Sequence, residues 1–189
     1  MTEEEREEIK DVILPARYHG CTWETFDLDY DGSDEMDSFL LLREWTGDDG
    51  EMAFIFGGPG TGKTHMAVAT ALRWINARGW GCKFVVVSDW LQDIKTGFND
   101  QTAANALHRA REAKLLIFDD LGAEMATDWV RDTVYSVINH RYNEMKPTLV
   151  TSNLTPDEIS SKYHDRLASR LASGLVIDTD LLPDRRVGE

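Results

Sequence analysis

The sequence predicts a three-layer α/β fold built on a five-stranded parallel sheet, and three observations predict it. From Met52 onward, short apolar runs alternate with helix-length segments. A glycine-rich stretch, Gly57-Gly58-Pro59-Gly60-Thr61-Gly62-Lys63-Thr64, joins the first such run to the first such segment. A later run, Leu115-Leu116-Ile117-Phe118, ends on the acid pair Asp119-Asp120. Apolar strands separated by helices need cover on both faces, which a parallel sheet between two helical layers supplies.

The elements are justified in chain order. Residues 2–13 have helical composition, acidic early and apolar at Val12-Ile13-Leu14, and Pro15 ends the segment. Residues 19–50 carry turn formers and acids with only short apolar clusters, so they are expected to form an irregular lead-in. Strands are expected at 52–56, 82–87, 114–118, 147–152 and 174–178, and helices at 63–78, 88–97, 101–112, 124–144 and 156–172. The chain thus divides into an acidic leader, 1–50, and a core, 51–189.

Composition bounds what such a fold does. With 189 residues, 42% of them hydrophobic, there is material for one well-cored domain and no second full one. The apolar runs are far too short for a membrane helix, and the start, Met-Thr-Glu-Glu-Glu-Arg-Glu-Glu, is the opposite of a secretory signal. Two cysteines, Cys21 and Cys82, have no metal or redox spacing, which favours a reduced, cytoplasmic setting. The net charge of −14 is uneven: residues 1–51 hold 17 acidic and 4 basic side chains, whereas the remainder is close to neutral. That acidity excludes steering to nucleic acid by overall charge but leaves room for a local basic surface. It reads either as a solvated tail or as a docking segment for a basic partner.

The glycine-rich stretch is a full G-x-x-x-x-G-K-T phosphate loop. Its glycines turn backbone N–H groups inward on β- and γ-phosphates, Lys63 reaches the same oxygens, and Thr64 offers a hydroxyl to Mg²⁺. His65 opens the following helix, whose positive N-terminal end adds to the site. ATP and Mg²⁺ are therefore the expected ligands. The acids follow a buried-type strand at the sheet edge where ligands of open α/β folds sit, so Asp119 is expected on Mg²⁺ and Asp120 on the attacking water. Glu124 is the fallback base. Thr151-Ser152-Asn153 ends another apolar strand, with Asn153 able to donate to a phosphate and accept from water. Arg166 and Arg170 lie four apart on one helical face, suited either to surface ion pairs or to a phosphoryl group lent across a subunit boundary.

Taken in order, Gly-Gly-Pro-Gly-Thr-Gly-Lys-Thr-His-Met-Ala, Asp-Asp-Leu-Gly-Ala-Glu, Thr-Ser-Asn and Ser-Arg-Leu resemble the AAA+ ATPases of the DnaC/DnaI helicase-loader group, whose core the IstB-type transposition helpers share. Pro15-Ala16-Arg17-Tyr18, with Cys21-Thr22 and Phe26, is similar to the segment that precedes the core in that group. The resemblance runs from about Pro15 to Leu171. It implies a sensor 1 role for Asn153, an arginine finger at Arg170 with Arg166 as second choice, and ATP-dependent self-association. It also implies a replicative DNA helicase and single-stranded DNA as partners, with no membrane involvement. Within it, Lys95, Phe98, Arg109 and Arg111 fall where those loaders touch DNA. Three departures stand out: Asp120 occupies a position often held by glutamate, Arg185 and Arg186 are weak candidates for a sensor 2 arginine in a reduced or absent lid, and a short acidic leader is expected where larger members of the group carry a helicase-gripping domain.

Three alternatives to helicase loading remain open: a transposition helper on duplex DNA, a small-molecule kinase with the same loop, and a nearly inactive ATP-dependent adaptor if Asp120 is a poor base. Asp27, Asp29, Asp31, Gly32, Ser33 and Glu35 mimic the start of a calcium loop, but Ser38 stands where the closing carboxylate belongs, so clustering in an acidic segment is the better account.

Overall fold

The computed structural model describes residues 14–26, 34–97 and 101–185. The expected helix over 2–13 and most of the calcium-loop mimic, residues 27–33, lie outside that range, as do Phe98 and Arg186. The described chain forms helix α1 (Asp34–Glu44), strand β1 (Met52–Phe56), α2 (Lys63–Arg78), β2 (Cys82–Val86), α3 (Val87–Thr96), α4 (Gln101–Glu112), β3 (Leu115–Leu121), α5 (Asp128–Asn143), β4 (Thr148–Ser152), α6 (Pro156–Lys162), α7 (Asp165–Leu171) and β5 (Leu175–Asp178). All strand pairs are parallel, in the order β2-β3-β4-β1-β5. Among the described residues no helix is long and apolar enough to cross a membrane, and no helix follows β5.

Strand alternation sorts the core into two layers. Ala53, Ile55, Leu115, Ile117 and Leu149 face α1 and α2, while Met52, Phe54, Leu116, Phe118 and Val150 face α3 to α7. Both faces of β1, β3 and β4 are therefore apolar, and every residue of β1 and β4 is buried.

The lead-in corrects the expectation of irregular structure. Met36, Phe39 and Leu42, spaced by three, form one apolar stripe of α1 that is buried in the same layer as Leu14, Cys21, Trp23 and Phe26. Arg73 ties α1 to α2 by donating to the Arg43 carbonyl at 2.7 Å and to Glu44 at 2.6 Å. The described leader is thus built into the domain. Acid-rich spacing had hidden the stripe.

Three boundaries also differ. The single helix expected at 156–172 is two, broken at Tyr163-His164, because His164 leaves helical geometry and caps α7 with its ring nitrogen on the Leu167 N–H at 3.2 Å. The helix expected from 124 starts at Asp128, where Thr127 caps it. The strand expected to end at Phe118 continues to Leu121, so the acid pair lies inside β3, at an irregularity in its pairing with β4.

Candidate nucleotide site

Strand order fixes which groups meet. The phosphate loop leaves β1, the acid pair sits on β3, and β4 runs between those two strands, so Asn153 emerges beside both. Gly60 and Gly62, at φ of +84° and +94°, hold conformations that side chains resist, and Gly62 caps α2 without using a side chain. This 16-residue helix begins directly at the end of the loop, which sets its positive N-terminal end there.

Lys63 is buried and its Nζ donates to the Gly57 and Gly58 carbonyls at 2.7 and 2.5 Å. The loop is also braced by Thr61, whose hydroxyl donates to the Gly58 carbonyl at 3.0 Å. Pro59 stands at its exposed outer corner. Thr64 donates to Asp119 Oδ1 at 2.8 Å, and Thr151 donates to the same oxygen at 2.7 Å. Burial pushes the Asp119 carboxyl above the usual range, the two hydroxyls pull it back, and the Asp120 charge raises it further. Asp120 sits at φ +57°, a left-handed geometry that turns it out of the strand. Its N–H donates to Thr151 Oγ1 at 2.9 Å, and its carboxylate accepts from Asn153 Nδ2 at 3.1 Å.

The structure thus brings Lys63, Thr64, Asp119, Asp120 and Asn153 into one cluster. His65 is turned to another use: its ring lies 2.8 Å from the Thr22 carbonyl and packs on Phe26, tying the lead-in to the loop. Glu124 is engaged elsewhere, accepting from the Tyr163 hydroxyl and the Gly122 N–H, and burial raises its pKa, with the Asp120 charge adding to the shift. Arg170 is half-buried on α7 with its guanidinium over the rings of Tyr135 and Tyr142 of α5, at 5.0 and 5.3 Å, while Arg166 is exposed one turn earlier. Lys95 and Arg109 are exposed at the ends of α3 and α4, and Arg111 is half-buried.

Sequence reasoning missed two contributors. Thr151 links both acids to β4, and its i, i+2 relation to Asn153 was the available signal. Tyr18, in the Pro-Ala-Arg-Tyr segment, stands beside Thr64 and Asp119; burial first, then the nearby Asp119 charge, pushes its phenol above the ordinary value. Its ring packs on Phe84 at 5.4 Å.

Among the described residues no three His, Cys, Asp or Glu side chains converge as a metal cage. The hydroxyl of Thr64 beside a buried carboxylate instead suits Mg²⁺, a cation commonly held by one or two carboxylates together with phosphate oxygens.

Residues 22–182 match the family described as IstB-like ATP binding protein. The chain belongs to that family. Replicative helicase loader DnaI of Bacillus subtilis is 34% identical over 133 residues, 70% of this chain and 42% of DnaI. Replicative helicase loader DnaC of Escherichia coli K12 is 24% identical over 162 residues, 83% of this chain and 65% of DnaC. The chain therefore spans less than two thirds of either relative. A crystal structure of the DnaC helicase loader superposes with a TM-score of 0.74 at 24% identity, covering 86% of this chain and 99% of that one. The replication initiator DnaA bound to AMPPCP and single-stranded DNA gives 0.71 at 22% identity, over 88% of this chain and 50% of that one. The IstB-like chain is thus an ATP-binding AAA+ domain of the DnaC/DnaI and IstB-like group, with the five-stranded sheet the sequence predicts.

Proposed function

We propose that this protein is an ATP-dependent loader that brings a replicative DNA helicase to single-stranded DNA, with ATP binding driving assembly and hydrolysis driving release. The convergence of Lys63, Thr64, Asp119, Asp120 and Asn153 carries the ATPase part. The loader part is supported by DnaI, a replicative helicase loader at 34% identity over 133 residues.

In this reading Gly57 to Gly62 cradle the phosphates through backbone N–H groups, and Lys63 exchanges its loop carbonyls for phosphate oxygens. Thr64 and Asp119 hold Mg²⁺, which supplies charge neutralisation at the phosphates. Asp120 orients and deprotonates the attacking water, with Asn153 holding its carboxylate in position. Arg170 acts on the site of a neighbouring copy, a contribution typically on the order of 10³- to 10⁵-fold in rate. It reaches that site by leaving its shelf on Tyr135 and Tyr142; Arg166, already exposed, is the second candidate. Lys95, Arg109 and Arg111 contact the DNA backbone. A cytoplasmic setting follows from these partners.

Turnover measured across protein concentrations tests the shared site: activity per subunit should rise with concentration and collapse in Arg170→Ala. Turnover indifferent to both would end the shared-site mechanism. Pull-down against a replicative helicase and against a transposase, each with and without ATP, decides the partner. ATP-dependent capture of the transposase alone would replace helicase loading with transposition.

A further inference from the structure

The segment after β5 folds back across the phosphate loop. Thr179 and Leu182 pin it: Thr179 is fully buried, donates to the Phe56 carbonyl at 2.9 Å and meets the Thr61 hydroxyl at 2.7 Å, and Leu182 is buried in the layer of α1 and α2. Around these pins the polar groups point at the loop. Asp180 Oδ1 accepts from the Gly58 N–H at 2.5 Å, and the Arg185 N–H donates to the Gly60 carbonyl at 3.0 Å. The Asp184 carboxylate lies so close to the Gly60 Cα that a methyl group there would collide with it. The Arg185 guanidinium covers the Phe26 ring at 4.2 Å from its centre, and that ring in turn presses on the Cα of Gly62.

We propose that Thr179–Arg185 is an autoinhibitory strap that competes with nucleotide for the phosphate loop, so that ATP binds as residues 180–185 lift. The inference rests on the nucleotide-binding reading above. A nucleoside triphosphate brings a polyanion to a nest of loop N–H groups and a flat ring to any aromatic surface beside it. The strap brings carboxylates to the loop and a flat guanidinium to Phe26. It thus covers surfaces that nucleotide would use, and its two carboxylates repel a triphosphate approaching them. Lifting gives up little apolar burial, because Asp180, Leu181, Pro183 and Asp184 are all exposed and Leu182 is the buried apolar residue among them. Thr179 stays fixed as the continuation of β5 and serves as the hinge. Nucleotide binding then has an outward signal: the freed strap, with Leu181 and Leu182 at its centre.

The test is binding of a fluorescent ATP analogue with Mg²⁺ to the full chain and to Asp180→Ala/Asp184→Ala. Weakening the closed form should tighten binding on the order of tenfold, the gain expected if the strap-open form is about a tenth of the population. Equal or weaker binding by the double variant overturns the strap. Lys63→Ala separates the two ideas: if wild type, double variant and Lys63→Ala all fail to bind, nucleotide recognition itself is wrong and the strap falls with it. A second measurement does not depend on those variants. A nitroxide on Leu181→Cys, the native Cys21 and Cys82 being buried, should gain mobility on adding ATP and Mg²⁺. Unchanged mobility at saturating nucleotide also overturns the proposal.

Discussion

Asp119→Asn should stabilise the nucleotide-free protein while removing most of its response to Mg-ATP. Asp119 is 3% exposed, and a single carboxylate oxygen accepts both the Thr64 and Thr151 hydroxyls, at 2.8 and 2.7 Å. Asparagine keeps an acceptor oxygen of the same shape and removes a charge that burial disfavours. A gain of about 1 kcal/mol is the size expected for relieving a functional site of this kind. In a chain of this length that moves the melting temperature by about 2–4 °C. With nucleotide the order should reverse. Ligand at a hundredfold excess over its dissociation constant adds about 2.7 kcal/mol to a protein that binds it, and the variant lacks the anionic partner for the metal.

The pH dependence fixes the sign independently. The folded carboxyl holds its proton more tightly than the unfolded chain, whose value is near the ordinary 3.8. Between 3.8 and the raised folded value the native state binds more protons, so the wild type loses stability as pH rises through that window. The advantage of Asp119→Asn should accordingly be full at neutral pH and vanish in acid below the window. Thermal melts of both proteins at neutral and acid pH, with and without Mg-ATP, measure all of this. A variant that melts at or below wild type without ligand at neutral pH, or that keeps its lead with Mg-ATP, refutes the reasoning.

Other perturbations isolate separate parts of the machine. Thr151→Val removes the donor to Asp119 and leaves the Asp120 N–H without its acceptor; turnover should fall about tenfold with little change in nucleotide affinity, read as a drop in kcat at constant KM. Arg141→Leu should cost about 3 kcal/mol or more, seen by denaturant unfolding, because the guanidinium is fully buried and serves the Ala110, Arg111, Ala113 and Pro147 carbonyls and the Thr148 hydroxyl. Phe39→Ala should cost about 3–5 kcal/mol in a single cooperative transition, whereas a leader that merely hangs from the domain would leave the melting point in place.

The sheet was legible because its signals are local and redundant. An apolar strand, a glycine loop and a helix follow one another between Met52 and Arg78, and buried strands leave no polar face to confuse the reading. The acid pair and Asn153 were legible by the same logic, each ending an apolar run. Helix α1 was not, since its stripe of Met36, Phe39 and Leu42 is broken by Asp37 and accompanied by the exposed Leu40 and Leu41, which blur the amphipathic period. The break at His164 was hidden for a different reason: Ile159, Tyr163 and Leu167 keep a helical apolar spacing straight through it, while the interruption comes from the His164 ring, which caps Leu167 and packs on Tyr135.

What no local pattern encodes is the convergence on the loop of segments far apart in the chain. Thr22 and Phe26 come from one side, through His65 and Gly62, and Thr179, Asp180 and Arg185 come from the other, through Thr61, Gly58 and Gly60. Arg185 and Phe26 then touch each other, closing a ring of contacts around the loop. A change in the strap is therefore felt at the lead-in through one guanidinium–aromatic contact, with the loop glycines between them. If nucleotide lifts residues 180–185, Phe26 loses its cation and His65 keeps its carbonyl, so the lead-in would loosen at its distal edge while staying anchored at Thr22. Hydrogen exchange in residues 22–26 should then rise with ATP in wild type and remain at its unliganded rate in Lys63→Ala. Protection of that segment by ATP would mean that the two flanks close on the nucleotide together.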